Sequence, residues 1–420
     1  MRMTRKHLVR SALAGAVVLT LSACGQGSAT SGDDSDGGGK TTVSYMEFSA
    51  DGGHEGDLDK IVKAFEAENP DITVNVETIP YADYFTKLQT ALAGGTAADS
   101  FELDYQNFVT YADAGALATL SDVDGSAYKP SLLQSFSQDG AQLGLPESFS
   151  DVVLFYNKTL FQKAGVDLPT ADWTWADEQA AAEKLTDAKA GVWGDYQPIS
   201  YNEFYKALNQ SGGTFLSDDG KSVAFDSPQG IDAANWLVGK SGKTMPTEAQ
   251  GAGTPDFDTN LFKKGKLAMW HTGIWMFSAL ADVPFDWDIV VEPGNTQKAS
   301  AMFANGVAVN AASKNQEAAQ KWITYLTGST TAAQTRVAAS WELPPTADQS
   351  LLQPYLTAGK PANRQAVFDA LDSVSLPPVV ARQSEMQDAV DKELGNAAAG
   401  RKSVEQALSD AASTVNGLLN

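Results

Sequence analysis

What constrains this chain most is the alternation of two hydrophobic periods in its opening third. Thr42–Phe48 is a short β-prone run. Leu58, Ile61, Val62 and Phe65 follow at i, i+3, i+4 and i+7, one face of a helix that Pro70 ends. Ile72–Ile79 then alternates with a period of two, as a strand does. Strand, helix and strand within about forty residues predict a βαβ unit with a parallel pair. A helix over about 82–92, closed by Gly94-Gly95, and a strand at Ser100–Leu103 continue the pattern. The chain therefore opens as an α/β layer structure. Further on, Thr174-x-x-Asp177, Ser313-x-x-Gln316 and Ser403-x-x-Gln406 have the form of capping boxes and predict helices behind them.

Composition narrows the function. The 420 residues are 43% hydrophobic and 20% charged, as in a globular protein of two or three compact units. Fifty-two acidic residues against 30 basic give a net charge of −22, and the acids are spread along the chain. Nucleic acid is excluded as a partner, because binding it needs a basic footprint. Cys24 is the only cysteine and His7, His54 and His271 the only histidines, so no intramolecular disulfide and no Cys/His zinc site can form. No cofactor and no metal are expected. G-x-S-x-G, the P-loop and H-E-x-x-H are all absent from the sequence.

The first forty residues form an address and a tether. Arg2, Arg5, Lys6 and Arg10 precede an apolar stretch around Val17, Val18, Leu19 and Leu21, the layout of a secretory signal. That stretch is shorter than the roughly 20 apolar residues of a membrane span. Leu21-Ser22-Ala23-Cys24 resembles the lipobox of bacterial lipoproteins, in which the cysteine is lipidated and becomes residue one. Residues 1–23 are expected to be a signal peptide and 24–40 a flexible tether, with the mature chain lipid-anchored through Cys24 on the extracytoplasmic face of the membrane.

Four stretches carry a wider resemblance. They are Phe65-Glu-Ala-Glu-Asn-Pro70 within the βαβ unit, Leu145-Pro146 followed by Leu154-Phe-Tyr-Asn157-Lys158, Phe262-Lys-Lys-Gly265 leading to Gly273-Ile274-Trp275, and Gly306 through Ser313-Lys-Asn315 to Trp322. Taken in order, they make residues 41–420 similar to the family-1 extracellular solute-binding proteins, the sugar-capturing, maltose-binding-protein-like components of ABC importers. The resemblance implies a two-lobed periplasmic-binding-protein fold of type II-like topology, α/β in class, with a ligand cleft between lobes joined by hinge strands. Residues 41–146 and 293–345 would make lobe 1, and 147–292 and 346–420 lobe 2. It further implies a monomeric, non-enzymatic receptor that passes a sugar or oligosaccharide to permease subunits. Capture of another polar solute, a peptide or polyamine, is the nearest alternative, and a surface glycosidase with paired carboxylates a more distant one.

A sugar needs flat aromatic platforms for its C–H faces and paired acceptors or donors for its hydroxyls. Trp275 is the first candidate platform, at the position where the family stacks a tryptophan; the competing role is core packing beside Trp270 and Phe277. Asp104 and Tyr105 close the strand Ser100–Leu103, where the family places a hydrogen-bonding residue, although Asp104 equally suits a helix N-cap. Glu147 and Asp151 flank the first hinge crossing. Phe48, Asn305 and the pair Trp341-Glu342 complete the set. His54 and His271 are expected in surface or core roles.

Overall fold

The computed structural model describes residues 40–51, 53–251, 254 and 256–419. The expected signal, the lipobox and Cys24 lie outside them. Strand β1 (Thr41–Glu47), helix α1 (Glu55–Glu68), strand β2 (Ile72–Thr78), helix α2 (Tyr81–Gly94), strand β3 (Ser100–Asp104) and helix α3 (Tyr105–Asp113) follow in order. β1 pairs in parallel with both β2 and β3. As the apolar periodicity requires, α1 buries Leu58, Ile61, Val62 and Phe65. α2 ends at Gly95, whose φ of 67° is the left-handed conformation that a glycine C-cap supplies without a Cβ penalty. The hydroxyl of Tyr84, fully buried on α2, lies within hydrogen-bond reach of the carbonyls of Met46 at 2.9 Å and Glu102 at 2.8 Å. One hydroxyl thus pins the helix across β1 and β3.

The rest of the sheet comes from distant parts of the chain. Ser300–Val309 runs antiparallel beside β3, and Gly144–Asn157 runs antiparallel beside it in turn. The strand Gly144–Asn157 is 14 residues long and changes partners along its length. Gly144–Asp151 pairs with Ser300–Val309, whereas Val152–Asn157 pairs with Met269–Gly273 and Trp287–Val290. Its register slips between Pro146 and Ser148, leaving Glu147 unpaired in the ladder.

Side chains divide by face because successive strand residues point to opposite sides of a sheet. Val43 and Tyr45 of β1 join Val307, Trp322 and Ile323 in one buried cluster, while Met46 joins Phe101 and Leu103 in another. A third cluster packs Phe204, Phe225 and Leu237 against Met386, Leu408 and Val415.

One of the three expected capping boxes forms in full and a second forms as an N-cap alone. Thr174 and Asp177 cap each other reciprocally at the start of the helix Trp175–Leu185, and Ser403 accepts from the Gln406 N–H. Ser313 does not cap a helix. Its hydroxyl donates to Asp99 at 2.6 Å, and the helix Gln316–Gly328 begins after Asn315 instead. Asp99 also accepts from Ser44, so the loop before β3 takes the hydroxyl that the spacing assigned to a helix.

Candidate ligand-binding cleft

Beyond the carboxyl ends of β1 and β3 lies a cavity of about 440 Å³, bounded by Phe48, Tyr81, Asp104, Tyr105, Phe303, Asn305 and Glu342. Ligands of open α/β sheets bind beyond strand ends of this kind. Its entrance is held from beneath by Glu102, which is fully buried on β3 and accepts the backbone N–H groups of Phe48 and Ser49, each at 3.0 Å. Two main-chain donors on its Oε2 hold the turn after β1, while its Oε1 is buried without a hydrogen-bond partner among the described residues. A larger hollow of about 850 Å³ lies between the end of α1 and the helix Gln316–Gly328. That hollow has no half-exposed aromatic ring on its walls, and the strand ends do not open into it.

Phe48, Asp104, Tyr105 and Asn305, named from sequence, meet in the smaller cavity. Asp104 lines the cavity and is also the N-cap of α3, accepting the Asn107 backbone N–H at 2.8 Å. Asp104 and Asn305 face each other in the antiparallel register of β3 and Ser300–Val309. Asn305 donates to Glu342 at 3.2 Å, and Ser148 donates to the same carboxylate. Burial raises the Glu342 pKa above the usual carboxylate range, while the Ser148 bond and the Arg336 charge act against the shift.

Trp275 does not bound that cavity, but it touches it through one ring. It is 52% exposed and meets Phe303 edge-on at 5.7 Å between centroids. The inner side of its indole lies on Gly273, where a Cβ would stand only 1.8 Å from the ring. Tyr81 and Phe303 are the two lining aromatics that sequence reasoning missed. Tyr81 follows Pro80 just beyond the end of β2, and the position was a usable signal. Phe303 sits inside an alternating strand, where nothing separates a cleft ring from a core one.

Glu147, Asp151 and Trp341 lie deeper. All three are buried. Glu147 pairs with Arg336, whose guanidinium stands 4.0 Å from the Trp341 ring centroid, and the Trp341 indole donates to the Ser49 carbonyl at 3.1 Å. Around that pair, burial and the neighbouring Glu147 charge push Glu102 well above its ordinary pKa, and burial raises Glu47 to about 7. Burial, reinforced by the Glu292 charge, also raises Asp151 well above the usual range.

A second polar group is enclosed in the half that follows residue 150. His271 contacts Glu292 through Nδ1 at 2.7 Å and Glu178 through Nε2 at 3.0 Å. Lys240 pairs with Glu178 at 2.7 Å and Asp195 at 2.6 Å, and Lys206 with Glu203 at 2.6 Å and Glu292 at 2.5 Å. Burial alone would lower the His271 pKa, but the surrounding carboxylates raise it well above the ordinary value. Two triads here, Glu178/Asp195/His271 and Glu203/His271/Glu292, have the spacing of metal ligands. The lysine ammonium groups already bring positive charge to both. The arrangement is a core charge network, the bland role expected of His271.

With that geometry in view, the chain can be compared with known proteins. Residues 52–333 match the family described as bacterial extracellular solute-binding protein, and the chain belongs to that family. Among solved structures it is similar to an ABC substrate-binding protein from Listeria monocytogenes in complex with cycloalternan. That pair shares 46% identity over 90% of this chain and 98% of the other, with a TM-score of 0.75. It is similar to the diacetylchitobiose-binding protein of Streptomyces coelicolor, at 29% identity over 76% of this chain and 77% of the relative. The two-lobed cyclo/maltodextrin-binding fold is shared at a TM-score of 0.78 and 18% identity, over 90% of this chain and 97% of the other. The fold is therefore that of the two-lobed solute-binding proteins of ABC importers.

Proposed function

We propose that this chain is a carbohydrate-binding receptor that captures a sugar or oligosaccharide and delivers it, unchanged, to the permease of an ABC importer. The observation that carries the reading is the placement of Tyr81, Phe303 and Trp275. Tyr81 and Phe303 are exposed and line one polar cleft, and the exposed Trp275 meets Phe303 edge-on, while most other rings are buried. Exposed rings beside amide and carboxylate groups suit the C–H faces and hydroxyl rims of saccharides. In this reading the lobes are 41–146 with 293–345 and 147–292 with 346–420, and the register slip between Pro146 and Ser148 lies at their first crossing. One buried cluster joins β1 to the helix Gln316–Gly328 and another joins 201–237 to 386–415, whereas the third extends from Met46 and Phe101 to Phe155 and Trp270.

The test is a thermal-shift screen against maltotetraose, cycloalternan, N,N′-diacetylchitobiose and arabinotriose. A ligand at a hundredfold its Kd adds about 2.7 kcal/mol of stability. No shift with any saccharide would remove the reading. Asp104 and Glu342 line the cavity and no lysine or arginine does, which favours a polyamine as the second reading. Spermidine belongs in the same screen. Anchoring through Cys24 has its own test: Cys24→Ser should block processing and release or mislocalise the chain. Normal mature size and membrane retention would count against it.

A further inference from the structure

Buried carboxyl groups tie the turn that carries Phe48 and Ser49 into the cleft to the first crossing between the proposed lobes. Glu102 of β3 accepts both turn N–H groups on Oε2, at 3.0 Å each, and Phe48 and Ser49 both bound the cavity. Glu147 occupies the register slip between Pro146 and Ser148 and pairs with Arg336 through Oε1. The remaining oxygens, Glu102 Oε1 and Glu147 Oε2, belong to side chains of residues only 0% and 1% exposed, and have no hydrogen-bond partner among the described residues. These two carboxyl groups face each other. Two ionised carboxylates in contact are acceptors without a donor, orphaned and mutually repelling where no water screens them. A proton between them turns the same atoms into a donor and an acceptor.

The surroundings bring little charge to oppose that proton. Tyr45 and Glu47 face Glu102 from β1, Tyr84 from α2, and Glu342 from the segment after Trp341. The cation of the group is Arg336, on the helix Thr330–Ala339, held by Glu147 with its guanidinium 4.0 Å over the Trp341 ring. Four carboxyl groups against one guanidinium cannot all stay ionised in the core. Glu47 has donors of its own in the Ala50 N–H at 2.8 Å and the Thr78 hydroxyl, and Glu342 has Ser148 and Asn305. Of the four, Glu102 and Glu147 are the two left with an unsatisfied buried oxygen. Burial and the Glu147 charge hold Glu102 well above the ordinary carboxylate range, in keeping with a proton there.

We infer that Glu102 and Glu147 share one proton, donated from Glu102 Oε1 to Glu147 Oε2, and that this bond makes them positioning residues that hold the Phe48–Ser49 wall of the cleft to the lobe crossing. Losing the proton sets two anions against each other at that joint and displaces the turn that bounds the cavity. On the carbohydrate reading of the cleft, on which this coupling rests, saccharide binding takes up a proton at alkaline pH and weakens as pH rises.

The shared proton is tested without ligand, by infrared difference spectroscopy of the full chain, wild type against Glu102→Gln, at neutral pH. Gln keeps an oxygen for the Phe48 and Ser49 N–H groups and an amide donor for Glu147, so it copies the protonated state. A protonated-carboxyl C=O band present in wild type and missing from the variant is expected, and a difference spectrum without that band overturns the shared proton. The coupling is tested by calorimetric titration with maltotetraose, cycloalternan, N,N′-diacetylchitobiose and arabinotriose, from about pH 6 to about pH 9, in two buffers of different ionisation enthalpy. Wild type should lose affinity for its tightest saccharide about tenfold across that range and take up protons on binding. Glu102→Gln should bind as wild type does at the acid end and keep that affinity throughout. An alkaline loss that persists undiminished in Glu102→Gln, or a flat wild-type profile, overturns the positioning role. The wild-type profile and its proton uptake decide the coupling even where the variant folds poorly. Wild-type chain that binds none of the saccharides at any pH overturns the carbohydrate reading and the coupling with it, whereas the infrared band still decides the pair.

Discussion

At the scale of single residues, His271 and Trp275 show how four positions along a chain separate burial from exposure. His271 lies on the strand Met269–Gly273 with both ring nitrogens engaged by carboxylates, and its value is to balance charge inside the core. Removing one partner from such a buried group is costly, because the charge left behind has no water to turn to. Trp275 lies just past the strand end with half its surface in solvent. Trp275→Ala should therefore weaken saccharide binding by about 2 kcal/mol. A core tryptophan would instead cost about 3 to 5 kcal/mol of fold stability. Affinity and ligand-free melting temperature measured on the same variant distinguish these outcomes, and normal affinity with a large melting loss would return Trp275 to a packing role.

Elements set the directions in which those residues point. The short turn Ile274–Met276 folds the Trp275 ring back over Gly273, and only a residue without a Cβ leaves the ring room to lie there. Gly273 has a φ of −93°, so alanine is compatible with its backbone, and the effect of Gly273→Ala must travel through the displaced indole. This substitution should lose about as much affinity as Trp275→Ala, and the double variant should lose no more than either alone. Additive losses would mean that Gly273 matters to the strand itself. The same scale explains which caps were legible. Thr174-x-x-Asp177 and Ser403-x-x-Gln406 act within one turn of their own helix, so local spacing predicts them. Ser313 is claimed by Asp99, more than two hundred residues earlier, and no local rule anticipates a partner so distant.

Across the whole molecule, buried titrating groups give stability a pH dependence with a definite sign. Glu47 is raised from 4.5 to about 7 and His271 is raised above 6.5. A raised folded pKa contributes stability that is complete below the unfolded value and is lost as pH climbs through the folded one. Asp195 is lowered, by Lys240 foremost among its charged neighbours, and Glu292 by Lys206; their contributions are lost on acidification below about pH 4. The ligand-free chain should be most stable near pH 4 to 5 and weaken toward pH 8, with Glu47 alone worth on the order of 3 kcal/mol. Glu47→Gln should flatten the slope between about pH 4.5 and 7. A melting temperature that rises from pH 5.5 to 8 would contradict this balance. Ligand that contacts both proposed lobes should also draw them together, lowering the radius of gyration in small-angle scattering; an unchanged radius at saturation would count against hinge bending.

Sequence alone was sufficient wherever the determining interaction is local and periodic. The βαβ opening, the apolar face of α1, the glycine cap after α2 and the strand ending at Asp104 all follow from spacing, because a helix or strand repeats its burial every 3.6 or 2 residues. Residue type also narrowed the cleft: Phe48, Asp104, Tyr105 and Asn305 do converge there. Tertiary structure alone decided how Glu147, Asp151 and Trp341 are enclosed and which carboxylates share Arg336, Lys206 and Lys240. It also revealed that Asp104 caps α3 and accepts from the half-exposed Tyr81 hydroxyl. A carboxylate reads the same in a sequence whether water, an ammonium group or a tyrosine hydroxyl surrounds it. Which one does is set by strands brought together from distant parts of the chain, and that pairing leaves no periodic trace.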